Sequence, residues 1–240
     1  MAGNVFLSYL SIRNPAHTSS IITLRQLLQH TSSIVDPEQY WTAPSNSIAA
    51  LAAQTSPFDS LHAPGNYFRY GNLNYVLIGQ ILERAGGQRF DQLMLNQIFR
   101  PGTNGSVFSP HGGLRISVAA LARWASQLTV QQLADLGAKP WLIRVDGSNG
   151  DSENGFYRKF GLGAHGFVLP GVGEVWGHFG EAYGLTAAVL RDPDSTRVWA
   201  YAITGYGDDP ARYPSKLPGI NRLEARLLAL LVHKNPAAAN

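Results

Sequence analysis

A chain of 240 residues and 26.0 kDa fits one domain, with room for an inserted lobe, and is long enough to bury a large core. Charged residues make up only 15%, while Gly and Pro number 25 and 14, a loop-rich globular profile that excludes a coiled coil or a disordered chain. With no cysteine, disulfide frameworks, thiolate zinc sites and a cysteine nucleophile are excluded, and a net charge of +3 carried by scattered arginines offers no basic face for nucleic acid.

Residues 5–10 form a short apolar stretch with no positive residue ahead of it, so the N-terminus does not look like a secretory signal. No apolar run approaches the ~20 residues needed to span a bilayer. Thr23 and Gln26 have the form of a capping box, and Leu24, Leu27 and Leu28 give the short helix that ends near His30 an apolar stripe. Thr31-Ser32-Ser33 reads as a polar turn, residues 45–54 as an Ala-rich helix, and residues 57–66, closed by Ala63-Pro64-Gly65-Asn66, as a loop. Residues 74–85 carry Tyr75, Ile78 and Leu82 at helical spacing, with Gly86-Gly87 as a stop. Residues 90–99 repeat the pattern before Pro101, and Ser117 is placed to cap a helix over 118–128.

From Gly161 the apolar period falls from 3.6 toward 2. Residues 175–178, 183–190 and 197–204 read as strands of an antiparallel meander, and residues 220–233 as an amphipathic helix covering one face of it. The whole predicts an α+β fold: a helical lobe over about 20–137, a sheet lobe over about 155–240, both within one domain spanning 1–240, and a cleft between the lobes.

Two short stretches carry candidate chemistry. In Tyr70-Gly71-Asn72 a phenol and an amide stand two residues apart, suited to proton exchange and to holding a carbonyl. The plain alternative is that Tyr70 packs under the next helix and Asn72 merely caps it. In Trp176-Gly177-His178-Phe179-Gly180-Glu181 glycines flank a titratable residue at a strand end, where a backbone amide can serve an oxyanion; the plain alternative is a bulged edge strand with a solvated His178. No Gly-x-Ser-x-Gly and no His-Glu-x-x-His occurs, and the histidines stand singly, so neither a nucleophile elbow nor a metal site is expected. Gly161-Leu162-Gly163 leads into strand rather than helix and reads as a turn, not a phosphate loop.

Taken in order, Ile22-Thr-Leu-Arg-Gln-Leu-Leu-Gln-His-Thr-Ser-Ser33, Pro64-Gly-Asn-Tyr-Phe-Arg-Tyr-Gly-Asn-Leu-Asn-Tyr75, Gly112-Gly-Leu-Arg-Ile-Ser117 and Gly177-His-Phe-Gly180 resemble the serine β-lactamase-related family. That family includes class C β-lactamases, low-molecular-weight penicillin-binding proteins, D-aminopeptidases and β-lactamase-like esterases. The resemblance covers nearly the whole chain. It implies a β-lactamase/transpeptidase-like fold and acyl-enzyme hydrolysis of an ester, amide or lactam by a Ser-x-x-Lys serine, without a cofactor. It implies that Tyr70 shuttles protons, that Asn72 hydrogen-bonds the substrate and orients the family's lysine, and that His178 occupies the first place of the family's Lys-Thr-Gly. It further implies that Gly180 is retained for substrate approach and that the amide of Glu181 is an oxyanion donor. Phe179 stands where Thr or Ser is usual, which removes a hydroxyl contact to a substrate carboxylate from the expectation. The partner expected is a small-molecule or peptide-like substrate.

The four lysines, Lys139, Lys159, Lys216 and Lys234, are preceded three residues earlier by Leu136, Phe156, Tyr213 and Leu231, so no Ser-x-x-Lys exists in the chain. Relative to the family, the chain is expected to be an N-terminally shortened piece or a non-catalytic ligand-binding member. Ser32 and Ser109 are the substitute nucleophiles to consider. About ten residues of loop are expected between Pro101 and Gly112. The apolar strand Val198-Trp-Ala-Tyr-Ala-Ile203 is expected to need a covering segment along its edge.

Overall fold

Helix α1 (Leu24–Leu28) forms where the capping box is complete: Thr23 Oγ1 accepts from the Gln26 amide at 3.3 Å, and Gln26 Oε1 accepts from the Thr23 amide at 2.8 Å. The computed structural model describes residues 14–36, 58–98, 106–129, 131–132, 135, 139–151, 159–169, 173–182, 184–192, 197–204 and 226–227. The helix expected over 45–54 lies outside the described residues, and of the one expected over 220–233 only Arg226 and Leu227 are described, as helix. Two compact units are present, Met1–Ile116 with Lys139–Gly163, and Ser117–Ala138 with Ala164–Asn240.

In the first unit, helix α2 (Asn72–Gly86) presents Leu73, Val76, Leu77 and Ile81 to Ile22 and Leu27 of the α1 region and to Ile34. Each such side chain, once buried, contributes about 1.5–3 kcal/mol by leaving water. Gly87, at φ 63°, ends the helix in the left-handed conformation that glycine adopts without strain. Helix α3 (Phe90–Gln97) follows, and then a hairpin, β1 (Ser106–Ser109) with β2 (Gly112–Arg115), in place of the expected loop. Four residues per strand, with β2 exposed throughout, leave no alternation for a sequence reading to detect. The short strands β3 (Trp141–Leu142) and β4 (Lys159–Phe160) pair antiparallel, and Phe68, Ile143 and Phe160 form a second buried cluster against which Tyr70 and Trp141 pack.

In the second unit, helix α4 (Val118–Ser126) starts at Ser117, whose Oγ accepts from the Ala120 amide at 3.1 Å. Strands β5 (His165–Leu169), β6 (Gly173–Ala182), β7 (Leu185–Arg191) and β8 (Val198–Thr204) form an antiparallel meander in sequence order. Phe167, Val175 and Leu190 are its core, flanked by Phe179 and Trp199. Strand β6 runs well beyond the expected 175–178, because Gly177 and Gly180 dilute the β signal without breaking the pairing.

Segment 117–138, expected with the helical lobe, groups with this sheet instead, since α4 packs on β7 and β8. The Arg191 guanidinium reinforces that packing by donating to the carbonyls of Ser126 at 3.4 Å and Leu128 at 3.2 Å, where the C-terminal end of a helix favours a cation. Strand β8 pairs with β7 along one edge, and no described strand pairs with the other. Among the described residues no helix is long and apolar enough to cross a membrane.

Candidate active site

The segment carrying Tyr70 is held on both sides by backbone bonds. The Phe68 amide donates to the Asn149 carbonyl at 2.9 Å, the Asp151 amide donates to the Phe68 carbonyl at 2.9 Å, and the Arg69 amide donates to the His30 carbonyl at 2.9 Å. His30 is buried, and its ring lies 4.3 Å from the Tyr70 ring, 5.1 Å from that of Tyr75 and 4.8 Å from that of Phe160. The Gly71 amide donates to His30 Nδ1 at 3.2 Å, which leaves Nε2 as the protonated nitrogen of the neutral ring. Both His30 and Ser33 adopt positive φ, 54° and 62°, so the turn between them is strained and is kept in shape by its hydrogen bonds.

Of the two phenols beside His30, Tyr75 is locked. It donates to the Leu28 carbonyl at 3.0 Å, and burial, with Tyr70 nearby, pushes its pKa well above the ordinary tyrosine range. Tyr70 and Tyr75 are both half-buried. Asn72 is the first residue of α2 and not its cap, which is Gly71. Asp36, 36 residues earlier in the chain, closes the helix start from outside: Oδ2 accepts from the Asn72 amide at 2.8 Å and from Asn72 Nδ2 at 3.1 Å, and Oδ1 accepts from the Leu73 amide at 2.8 Å. A nearby histidine, His111, is held below its ordinary range by burial, with Asp36 pulling partly the other way.

Ser32 does not have the setting of a nucleophile. It is fully buried, donates to Asn74 Oδ1 at 2.5 Å and accepts from the Ile34 amide at 3.0 Å. Asn74 is itself fully buried and donates to the Gly71 carbonyl at 3.1 Å, so Ser32 is a brace for the Tyr70-Gly71-Asn72 turn. Ser109 is a strand residue paired with Gly112 in the hairpin. A separate polar strap ties the preceding loop to the same segment: Asp59 Oδ2 meets His62 Nδ1 at 2.7 Å and the Arg69 guanidinium at 3.3 Å, and Arg69 also meets Asp151 at 2.9 Å. Burial pushes the Asp59 carboxyl up, but its bonds from His62 and the Leu61 amide and the Arg69 charge prevail and hold it below the ordinary range.

His178, Gly180 and Glu181 lie on β6 of the second unit, whereas Tyr70 and Asn72 belong to the first. His178 Nδ1 lies 2.6 Å from the Phe179 carbonyl, an acceptor only, so Nδ1 carries the proton and Nε2 keeps a lone pair when the ring is neutral. Burial holds His178 below the ordinary histidine range, and the bond to Phe179 offsets this only in part, which keeps the ring neutral at pH 7. The His165 ring stands edge-on to it at 4.5 Å. Phe179 is half-buried and packs edge-on to Phe167 at 5.0 Å, so the position that carries a hydroxyl in the expected motif here joins the core. Gly180 and Glu181 are exposed residues, and a Cβ built on Gly180 would meet nothing within 4 Å. Among the described residues no group of His, Asp and Glu could hold a metal ion.

Sequence reasoning named Tyr70, Asn72 and the β6 residues as candidates but did not point to Asp36, Asn74 or the contacts of His30 around them. His30 and Asn74 sit inside stretches whose order was legible, whereas nothing near Asp36 in the chain marks it as a partner of Asn72.

An antiparallel meander with packed helices, a buried histidine under a Tyr-x-Asn turn and a glycine-bearing strand together define an α+β protein of the β-lactamase/transpeptidase type. The family profile described as Beta-lactamase matches residues 8–216, and the chain belongs to that family of serine hydrolases. Protein flp of Staphylococcus aureus (strain COL) is 30% identical over 83 residues, which is 33% of this chain and 17% of that protein, so the aligned stretch spans about a sixth of the curated relative.

Among solved structures, the D-amino acid amidase from Ochrobactrum anthropi SV3 complexed with L-phenylalanine amide superposes with a TM-score of 0.69 at 16% identity, covering 97% of this chain and 76% of that one. The beta-lactamase/D-alanine carboxypeptidase from Yersinia pestis complexed with citrate gives 0.65 at 16% identity, covering 89% and 71%. A D-stereospecific amidohydrolase from Streptomyces sp. gives 0.58 at 19% identity, covering 87% and 75%. At these identities the structures show the shared fold.

Proposed function

We propose that the chain carries the ligand-holding and proton-transfer side chains of a β-lactamase-related site for an ester, amide or lactam, and that these 240 residues by themselves bind such a ligand without forming an acyl-enzyme. The observation that carries the reading is the bracing of Tyr70 and Asn72: His30 stacks under the phenol, and Asp36 holds both the amide side chain and the start of α2. A turn needed only as a linker has no use for so many independent ties. In this reading Tyr70 exchanges protons with the reacting group, Asn72 hydrogen-bonds the ligand, His178 serves as a neutral acceptor, and Glu181 donates its amide toward a developing oxyanion beside the open Gly180. The nucleophile would be a Ser-x-x-Lys serine, which does not occur in this sequence, and the buried, doubly bonded Ser32 does not substitute for it.

The D-amino acid amidase and D-alanine carboxypeptidase among the structural neighbours make a D-amino acid amide a suitable probe. We expect D-phenylalanine amide to bind saturably, Asn72→Ala to abolish that binding, and a fluorophosphonate or penicillin probe to label no serine of the 240-residue chain. Absence of saturable binding would defeat the site. Labelling or product formation would defeat the claim that the chain does not turn over. A second reading, a member that only binds ligands in every context, is favoured by the aromatic Phe179 in a hydroxyl position. Turnover after a Ser-x-x-Lys segment is supplied would eliminate it.

A further inference from the structure

We propose that Asp36 is a positioning residue for Asn72, fixing which end of its side-chain amide is turned outward, so that position 72 presents a hydrogen-bond acceptor. The proposal rests on the reading of Asn72 as a ligand-holding residue. An N-terminal helix amide asks only for an acceptor, and Asp36 supplies one to Asn72 N at 2.8 Å and another to Leu73 N at 2.8 Å. The third bond, from Asn72 Nδ2 to Asp36 Oδ2 at 3.1 Å, serves no need of the helix.

A carboxylate accepts and never donates, whereas the two ends of an asparagine amide are alike in size and opposite in hydrogen-bonding sense. With the NH₂ inward, the pair gains a charge-assisted bond. The flipped amide would set oxygen against oxygen. Asp36 therefore selects one flip, and among the described residues Asn72 Oδ1 then accepts no hydrogen bond. The group it suits is an N–H donor on the ligand or on a neighbouring cation. Gly71 permits the approach, since a Cβ there would lie 3.3 Å from Asp36 Oδ1 and 3.2 Å from Asn74 Nδ2.

The test follows the side-chain NH₂ resonances of the full ¹⁵N-labelled chain, with Asn72 assigned by their loss in Asn72→Ala. In the unsubstituted chain one Asn72 amide proton should lie downfield and exchange slowly with water; two protons at free-amide positions would overturn the proposal without any further variant. In Asp36→Asn the amide should turn over, its resonances should move to free positions, and D-phenylalanine amide should bind about tenfold more weakly, the loss of one hydrogen bond. Combining Asp36→Asn with Asn72→Asp reverses the inner bond, returns an oxygen to the outward position, and should bring affinity back to within about threefold of the starting value.

If Asp36 only caps the helix, Asp36→Asn will move the backbone amides of Asn72 and Leu73 and leave both the side-chain resonance and the affinity unchanged, which sinks the proposal. Should Asp36→Asn fail to fold by circular dichroism, the exchange measurement on the unsubstituted chain decides. A locked Asn72 amide in a chain that binds no D-phenylalanine amide would uphold the orienting role of Asp36 and defeat the proposed function instead.

Discussion

Replacing Ser32 with alanine removes one oxygen from a fully buried site. Its Oγ donates to Asn74 Oδ1 at 2.5 Å and accepts from the Ile34 amide at 3.0 Å, and Ser32, Asn74 and Ile34 are exposed by 0%, 0% and 2%. Each buried polar group left unsatisfied costs about 1–3 kcal/mol, so the two together cost about 2–6 kcal/mol out of a stability on the order of 5–15 kcal/mol. For a chain of this size that corresponds to a fall in melting temperature of roughly 4–24 °C. Differential scanning calorimetry or urea unfolding of Ser32→Ala measures it. The same variant separates the brace from a substitute nucleophile, because a brace predicts loss of stability and no change in fluorophosphonate labelling. A variant within about 0.5 kcal/mol of the parent, the range of an ordinary surface change, would refute the reasoning. So would a serine label that vanishes in a variant that is still folded.

Gly177 and Gly180 of β6 should behave oppositely. A Cβ at Gly177 would lie 2.0 Å from the Val189 carbonyl oxygen and 2.9 Å from Leu190 Cα, so Gly177→Ala must push β6 away from β7 and should cost about 1–3 kcal/mol or more. Gly180→Ala meets nothing within 4 Å and should leave the melting temperature almost unchanged while weakening D-phenylalanine amide binding; equal destabilisation by both would contradict the register described for β6 and β7. Stability should also depend on pH through the half-buried His178 and His111. Burial holds the folded-state values of His178 and His111 below the ordinary 6.5, so the unfolded chain takes up more protons as the pH falls. Their contribution is fully present above about pH 6.5 and is lost progressively as the pH drops through the folded-state values. Thermal melts between pH 8 and 5 should show the decline, and His178→Gln should flatten it. A melting temperature that rises over that interval would argue against neutral rings at both positions.

Elements whose signals are local could be read directly from neighbouring residues. Thr23 with Gln26 and Ser117 with Ala120 place helix starts within a few residues, because a side-chain oxygen and the amide it satisfies are separated by three positions. The order of its motifs was enough to recognise the family, and Tyr70, Asn72, His178, Gly180 and Glu181 could be named as candidates from that order. Tertiary structure decided what no local pattern encodes. It begins α2 at Asn72, two residues before the expected start, because Asp36 reaches the free amides from 36 positions away. It turns Ser32 into a buried brace and sets His30 under Tyr70. It draws α4 to the sheet, where Arg191 closes the helix end across more than 60 residues of chain. The physical reason is the same each time: a buried polar group must find a partner, and the partner is chosen by proximity in space, which a one-dimensional pattern does not record.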